Sequence, residues 1–393
     1  MDLAIIHIGG IASGDIENPL LDGDTVTVRD GRIAAIGQAG SLDTAGIEQV
    51  IDANGCTLAP GLIDSHVHVV IGDYTPRQNT LGFIDSCLHG GVTSMVSAGE
   101  VHIPGRPKTA SGLKALAIVA AQSFANFRPS GVKVLGGGLI LDPELTEADF
   151  REMAEAGVRH LGEIGLGTVT DWEVAAEMAG WAHDNGMRVM MHVGGASIPG
   201  SNVIGADAVL TVRPDVASHL NGGPTAAPIG EIERIIAGSD IALEVVQCGN
   251  MLALERIAGR IHAAGQGARM IIGTDMPSGT GVVPLGMLRT VSAVASYSPF
   301  SAAQAWAMAT GNTARVYGFD RGRIAPGLEA DLVLMDTPLG SPAGDALGAL
   351  AIGDIPGIAA VLIDGEVKVN VSRNTPPPAR KVNIPWMAAG GGH

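Results

Sequence analysis

The sequence predicts an α/β fold: a (β/α)₈ barrel with a small β-sandwich domain that both chain ends build together. Three observations carry this. The middle of the chain alternates short apolar runs with amphipathic helical stretches, eight times over roughly 260 residues, close to the ~250 such a barrel needs. Residues 1–57 and 321–372 are both rich in β-branched runs broken by tight turns. Several apolar runs of the middle end on a histidine or a carboxylate, and a barrel aims its strand ends at one point. Alternation alone leaves a doubly wound open sheet as the competitor.

The predicted barrel occupies 58–320. Its strands are expected to end near His68, Ser97, Gly136, Glu163, His192, His219, Val246 and Asp275. Helices are expected over Glu147–Ala156, Trp172–Asn185, Glu231–Ala237 and Leu252–Ala263, where apolar residues recur at helical spacing. The stretch Leu113–Ala125 is apolar but carries Lys114, Gln122 and Ser123. It is shorter than the ~20 residues of a membrane span and reads as a buried helix.

In the first β-rich end, Ala4–Ile8, Thr25–Val28 and Ile33–Ile36 read as strands, with turns at Asp22-Gly23-Asp24 and Arg29-Asp30-Gly31-Arg32. In the second, Ala330–Met335 and the hairpin around Ala360–Gly365 repeat that character. Residues 373–393, opening on the Pro-rich stretch after Asn374, read as an irregular C-terminal arm.

Composition narrows the function. Hydrophobic residues make up 46% of the 393-residue chain and charged residues 16%, enough apolar material for a large core. The formal net charge of −16 argues against nucleic acid or an anionic membrane as partner, since both need a positive face. The three cysteines, Cys56, Cys87 and Cys248, show no paired spacing, and the N-terminus lacks a basic and apolar leader. Both point to a reducing cytoplasm. Mean hydropathy is +0.28, but no segment is long and apolar enough to read as a span.

The chemistry begins at Pro60-Gly61-Leu62-Ile63-Asp64-Ser65-His66-Val67-His68. Period-two alternation puts His66 and His68 on one face of a strand end, a good half-site for a divalent cation. A bare His-x-His is a weak signal, and the later candidates are weak singly. Glu163 between glycines suits a solvated carboxylate, His192 and His219 suit satisfied core histidines, and Asp275 suits a cap. All of them at C-terminal strand ends is a different matter.

The order His-x-His, acid, His, His, Asp resembles the amidohydrolase superfamily. So do Leu58-Ala59-Pro60-Gly61-Leu62-Ile63-Asp64 at the entry to the barrel, and Gly311-Asn312-Thr313-Ala314 with Gly322, Ile324, Gly327 and Ala330-Asp331-Leu332 at the exit from it. The resemblance covers nearly the whole chain. It implies two divalent metal ions, zinc first and iron, manganese or cobalt as alternatives. It puts His66, His68 and Asp275 on one ion, His192 and His219 on the second, and a carboxylate of the fourth strand between them. Glu163 takes the bridging place that many members fill with a modified lysine, and Lys133 on the third strand is the runner-up.

Longer stretches are similar to the enamidases within that superfamily: Gly162–Thr168, His219–Thr225, Val246–Asn250 and Asp275–Gly281. The resemblance implies hydrolysis of a cyclic amide, 1,4,5,6-tetrahydro-6-oxonicotinate, to 2-formylglutarate and ammonia. Asp275 would be the proton-transferring catalytic residue. Arg106, Lys108, His102, Thr280 and Gly281 are candidates to bind the ring and its carboxylate, although Arg106 and Lys108 read equally as solvated loop cations. Cys248 reads as a small buried thiol. The rivals are a dihydroorotase-like or imidazolone-type hydrolase, a deaminase and, from another class, a barrel scaffold without metal. Relatives of this architecture imply a homo-oligomer, a dimer or tetramer.

Overall fold

The computed structural model describes residues 2–42, 44, 46–71, 80–100, 103, 105–165, 168–196, 203–222, 226–277 and 281–388. Its central feature is a ring of parallel strands: Leu62–Val67, Val92–Ser97, Lys133–Leu135, His160–Ile164, Arg188–His192, Val216–Ser218, Ala242–Val246 and Met270–Gly273. The first three pair in sequence, as do the last five. Two parallel bridges close the ring, Leu139 with Leu161 and Val67 with Met276. At the second closure the Thr274 and Asp275 N–H groups both donate to the His66 carbonyl, at 3.2 and 2.8 Å. The expected barrel is therefore present, and the open-sheet competitor is not.

The helices form where apolar residues recur every three to four positions. Met251–Ala263 buries Leu254, Ile257, Ala258 and Ile261, and Asn250 caps it by accepting from the Ala253 N–H at 3.0 Å. Ile229–Gly238 buries Ile232, Ile235 and Ile236 against the barrel wall. Trp172–Asp184 is capped by Asp171, and Glu147–Glu155 by a box of Thr146 and Asp149. The helix expected to be buried at Leu113–Ala125 runs over Ala110–Asn126 and buries only one face, with Val119 half exposed. An outer-ring helix has a solvent side even when its sequence is apolar, because only one stripe meets the strands. Inside the ring, Val96, Met190, Val216, Ala242 and Ile271 pack together, and Val316, Tyr317 and Phe319 pack against them.

Both chain ends build two further sheets. A four-stranded sheet runs Arg32–Gly37, Thr25–Arg29, Leu3–Ile6 and Gln49–Asp52. A six-stranded sheet runs Glu366–Asn370, Gly357–Ile363, Leu332–Asp336, Thr57–Pro60, Gly10–Ala12 and Leu20–Leu21. Leu3, Ile5, Val26, Val28 and Ile51 of the first share one core with Leu58, Leu332, Leu334 and Leu362 of the second. Asp30 and Gly31 turn the first hairpin with φ of 48° and 74°, the positive pair that a two-residue turn of this hand requires. The stretch after Asn374 lies along this pair of sheets. Asn383 exchanges backbone hydrogen bonds with Asp52, and the Arg380 guanidinium pairs with the buried Asp336.

Candidate metal centre

Six ligand-type side chains, remote in sequence, meet at the C-terminal mouth of the ring, and all six are buried. His66 sits on the first strand, with His68 just past its end. Glu163 is on the fourth strand, His192 ends the fifth, and His219 and Asp275 lie just past the sixth and eighth. Close packing between strands fixes their heights. At Gly162 a Cβ would come within 2.6 Å of the Ala98 carbonyl oxygen, and at Gly273 one would come within 2.9 Å of the His66 Cβ. Only glycine lets the strands carrying Glu163 and Asp275 approach their neighbours this closely. His219 and Asp275 also adopt positive φ, 37° and 57°, a strained backbone for residues with a Cβ and one that clusters at functional sites.

The distances divide the cluster in two around Glu163. Its Oε2 lies 3.6 Å from His66 Nε2 and 3.9 Å from His68 Nε2. Its Oε1 lies 2.7 Å from His219 Nε2 and 3.7 Å from His192 Nδ1. Asp275 Oδ1 joins the first half, 3.6 Å from His66 Nε2 and 2.9 Å from His68 Nε2. Two donors each ~2.1 Å from one tetrahedral ion stand ~3.4 Å apart, so most of these spacings suit a shared cation better than a direct hydrogen bond. The ligand atoms of His66, His68 and Asp275 lie within 4.8 Å of one another, and those of Glu163, His192 and His219 do likewise. His66 Nε2, the ring nitrogen that faces Glu163 and Asp275, is buried with no hydrogen-bond partner, the mark of a lone pair kept for something else.

Electrostatics agrees. Burial disfavours charge on Glu163, but the surrounding imidazoles outweigh it and hold the carboxyl well below its usual range. Asp275 is likewise held low, against burial, by His68, His66 and His219. Burial also opposes charge on His66 and His219, and the carboxylates beside them raise both above the ordinary imidazole value. Among the described residues no lysine or arginine forms an ion pair with Glu163 or Asp275. Buried carboxylates lacking such a partner call for another positive charge, and a divalent cation supplies it.

Other sequence candidates fall elsewhere. Lys133 does not reach the cluster. Its Nζ lies 2.8 Å from Glu329, 2.9 Å from Asp331 and 2.6 Å from Asp364, where the barrel meets the six-stranded sheet. Its side chain leaves from the start of the third strand, so it cannot bridge ions at the mouth. Arg106 is half-buried with no side-chain partner among the described residues, and burial lowers its pKa. Lys108 is exposed, and Gly281 has a φ of 83° with open space around it. His102 and Thr280 lie outside the described residues. Cys248 is buried, as expected.

Glu244 was missed. It sits in the middle of the seventh strand, fully buried, and accepts from His66 Nδ1 at 2.8 Å, Ser65 Oγ at 2.5 Å and the His219 N–H at 3.1 Å. Asp64, in the first motif, is a second buried acid whose role local pattern does not reveal. It accepts from the Thr274 N–H and Oγ1 and from the His66 N–H, and burial pushes its carboxyl up to about 7. A single charged residue inside an otherwise apolar, doubly buried strand was the available signal in Ala242-Leu243-Glu244-Val245-Val246. A cavity of about 630 Å³ opens at the opposite end of the barrel, among Arg188, Arg213, Asp215 and Arg269, and contains none of these ligand residues. The ligand geometry, not cavity size, locates the site.

The family model described as the amidohydrolase family matches residues 57–369. Enamidase of Eubacterium barkeri is 56% identical over 380 residues, covering 97% of this chain and 98% of that protein. A dihydroorotase of Pelotomaculum thermopropionicum is 24% identical, covering 86% of this chain and 90% of that one. The crystal structure of enamidase at 1.9 Å superposes with a TM-score of 0.95 at 55% identity, over 98% of this chain and 100% of that one. A β-aspartyl dipeptidase of Fervidobacterium islandicum AW-1 shares the fold, with a TM-score of 0.66 at 17% identity over 94% and 96% of the two chains.

Proposed function

The chain belongs to the amidohydrolase family, and we propose that it is a two-metal hydrolase that opens a cyclic enamide. The substrate we assign is 1,4,5,6-tetrahydro-6-oxonicotinate, with 2-formylglutarate and ammonia as products, after the likeness to enamidase. One observation carries the two-metal part: each oxygen of Glu163 faces a different histidine pair. In this reading His66, His68 and Asp275 would hold one ion and His192 and His219 the other, with Glu163 placed between the two histidine pairs. Bound there, two divalent cations supply a water acidic enough to ionise near neutral pH and a Lewis acid for the amide carbonyl oxygen. The donors suit zinc first, and iron, manganese or cobalt next.

The chain's own residues do the rest. Asp275, ionised and beside the first histidine pair, takes the proton of the attacking water and returns it to the ring nitrogen as the C–N bond breaks. Addition of a second water to the resulting enamine releases ammonia and leaves the aldehyde. His192 donates from Nε2 to the Gly195 carbonyl at 3.2 Å, which keeps its Nδ1 lone pair toward Glu163. Arg106, Lys108 and Gly281, with His102 and Thr280, are our candidates for the ring and its carboxylate. We further assign the barrel to residues 58–320, the sandwich to 1–57 and 321–372 and the arm to 373–393, in a cytoplasmic homo-oligomer, a dimer or tetramer.

The test pairs elemental analysis with an ammonia-release assay. About two equivalents of metal per chain and ammonia from tetrahydro-oxonicotinate are expected. Metal with turnover of dihydroorotate or an imidazolone instead would overturn the substrate. Absence of stoichiometric metal in active protein would overturn the centre.

A further inference from the structure

We infer that Glu244 is a positioning residue that locks both halves of the centre into ligating geometry, an inference that rests on the two-metal reading. A carboxylate only accepts, so the 2.8 Å contact puts the His66 proton on Nδ1. Nε2, buried, unpartnered and 3.6 Å from both Glu163 and Asp275, is then the ring nitrogen left to ligate. The same Glu244 oxygen accepts the His219 N–H at 3.1 Å, and the Glu244 carbonyl accepts the Leu220 N–H at 2.8 Å. Side chain and backbone of one residue therefore hold the turn in which His219 adopts its positive φ of 37°. Ser65 Oγ donates to the remaining oxygen at 2.5 Å and fixes the carboxylate plane. The first half of the centre is set through a ring proton and the second through a main-chain turn, so one residue couples the two.

Glu244→Gln is isosteric, but its amide can present a donor where the carboxylate only accepts. Glu244→Ala removes every side-chain contact. Metal-free wild type and both variants are titrated with Co²⁺, reading dissociation constants and the visible d–d spectrum, with circular dichroism as the check on folding. We expect E244Q to bind Co²⁺ about 10-fold more weakly with a shifted spectrum, and E244A about 100-fold more weakly. E244Q carries the test alone if E244A does not fold. E244Q matching wild type in affinity and spectrum would overturn the assignment while leaving the two-metal reading intact. Wild type that takes up no Co²⁺ would overturn both.

Discussion

Among the described residues, the barrel mouth and the junction of barrel and sandwich both bring acidic groups into the spacing of a cation site, and they differ in what already lies among them. Glu329, Asp331 and Asp364 bring ligand atoms within 4.8 Å of one another, as do the two triads at the barrel mouth. At the barrel–sandwich junction the cation comes with the chain. Lys133 sits among all three carboxylates, Arg321 adds a contact to Glu329 at 2.9 Å, and Arg128 adds one to Asp364 at 2.8 Å. At the mouth the neighbours are imidazoles, and among the described residues no lysine or arginine pairs with the carboxylates. The first arrangement is complete as folded and joins two parts of the chain. The second is arranged to take up charge from outside. Spacing of acids alone thus does not identify a metal centre; what neutralises them does.

The largest effect expected is at the mouth. Asp275→Asn keeps shape but removes the proton acceptor, so kcat is predicted to fall by about 10²–10⁴-fold. Steady-state ammonia release with metal content measured in parallel reads this. A variant that retains metal and near-native kcat would mean that another group moves the proton.

At the junction the expected effect is on stability. Lys133→Met leaves Asp331, almost fully buried, without its close cation. A loss of about 3–5 kcal/mol in unfolding free energy follows, with metal stoichiometry and kcat of the folded fraction unchanged. Urea unfolding and elemental analysis check both halves. A fall in bound metal would mean that the two clusters are not independent.

What the sequence revealed follows the same division. His66, His68, Glu163, His192, His219 and Asp275 were legible because each closes an apolar run, and a barrel turns a list of strand ends into a place. Glu244 was not, because its partners lie 25 to 179 residues away and it occupies the middle of a run, where only its charge distinguishes it. Lys133 looked like a weak bridging candidate for the same reason. Its partners come from residues 329–364, and local pattern carries no information about such pairings. The apolar helix Ala110–Asn126 erred the other way, since composition reports hydrophobicity and not which side faces water.

His160, which belongs to neither cluster, separates burial from pairing. Its ring is fully buried at the start of the fourth strand, with Nε2 donating to the Ser97 carbonyl at 2.7 Å, and burial pulls its pKa down to about 4. The unfolded chain, with an ordinary value near ~6.5, binds a proton that the native state refuses between those limits. Stability should therefore fall as pH drops from about 6.5 to 4, by roughly 3 kcal/mol in total from this residue. His66 and His219, raised by their carboxylates, act with the opposite sign, so the comparison is wild type against His160→Asn, both metal-free. Urea midpoints of the variant should change less steeply over that range. Parallel pH profiles would show that His160 takes up its proton without cost.

The smallest effect tests whether the mouth's demand for charge extends to the substrate. A guanidinium that is half-buried and has no carboxylate beside it is the reverse of Lys133: a cation waiting for an acid. Arg106 is in that position on the loop after the second strand, among the described residues. A ring carboxylate would complete it with a charge-assisted hydrogen bond of about 1.5–3 kcal/mol. Since the contact is equally good before and during bond cleavage, Arg106→Ala should raise KM by roughly 10-fold or more with kcat little changed. Arg106→Lys should recover part of the loss, since it keeps charge without the fork. Unchanged KM would place carboxylate recognition elsewhere on the rim and leave Arg106 a loop cation. A fall in kcat alone would mean that the arginine acts on the reacting bond.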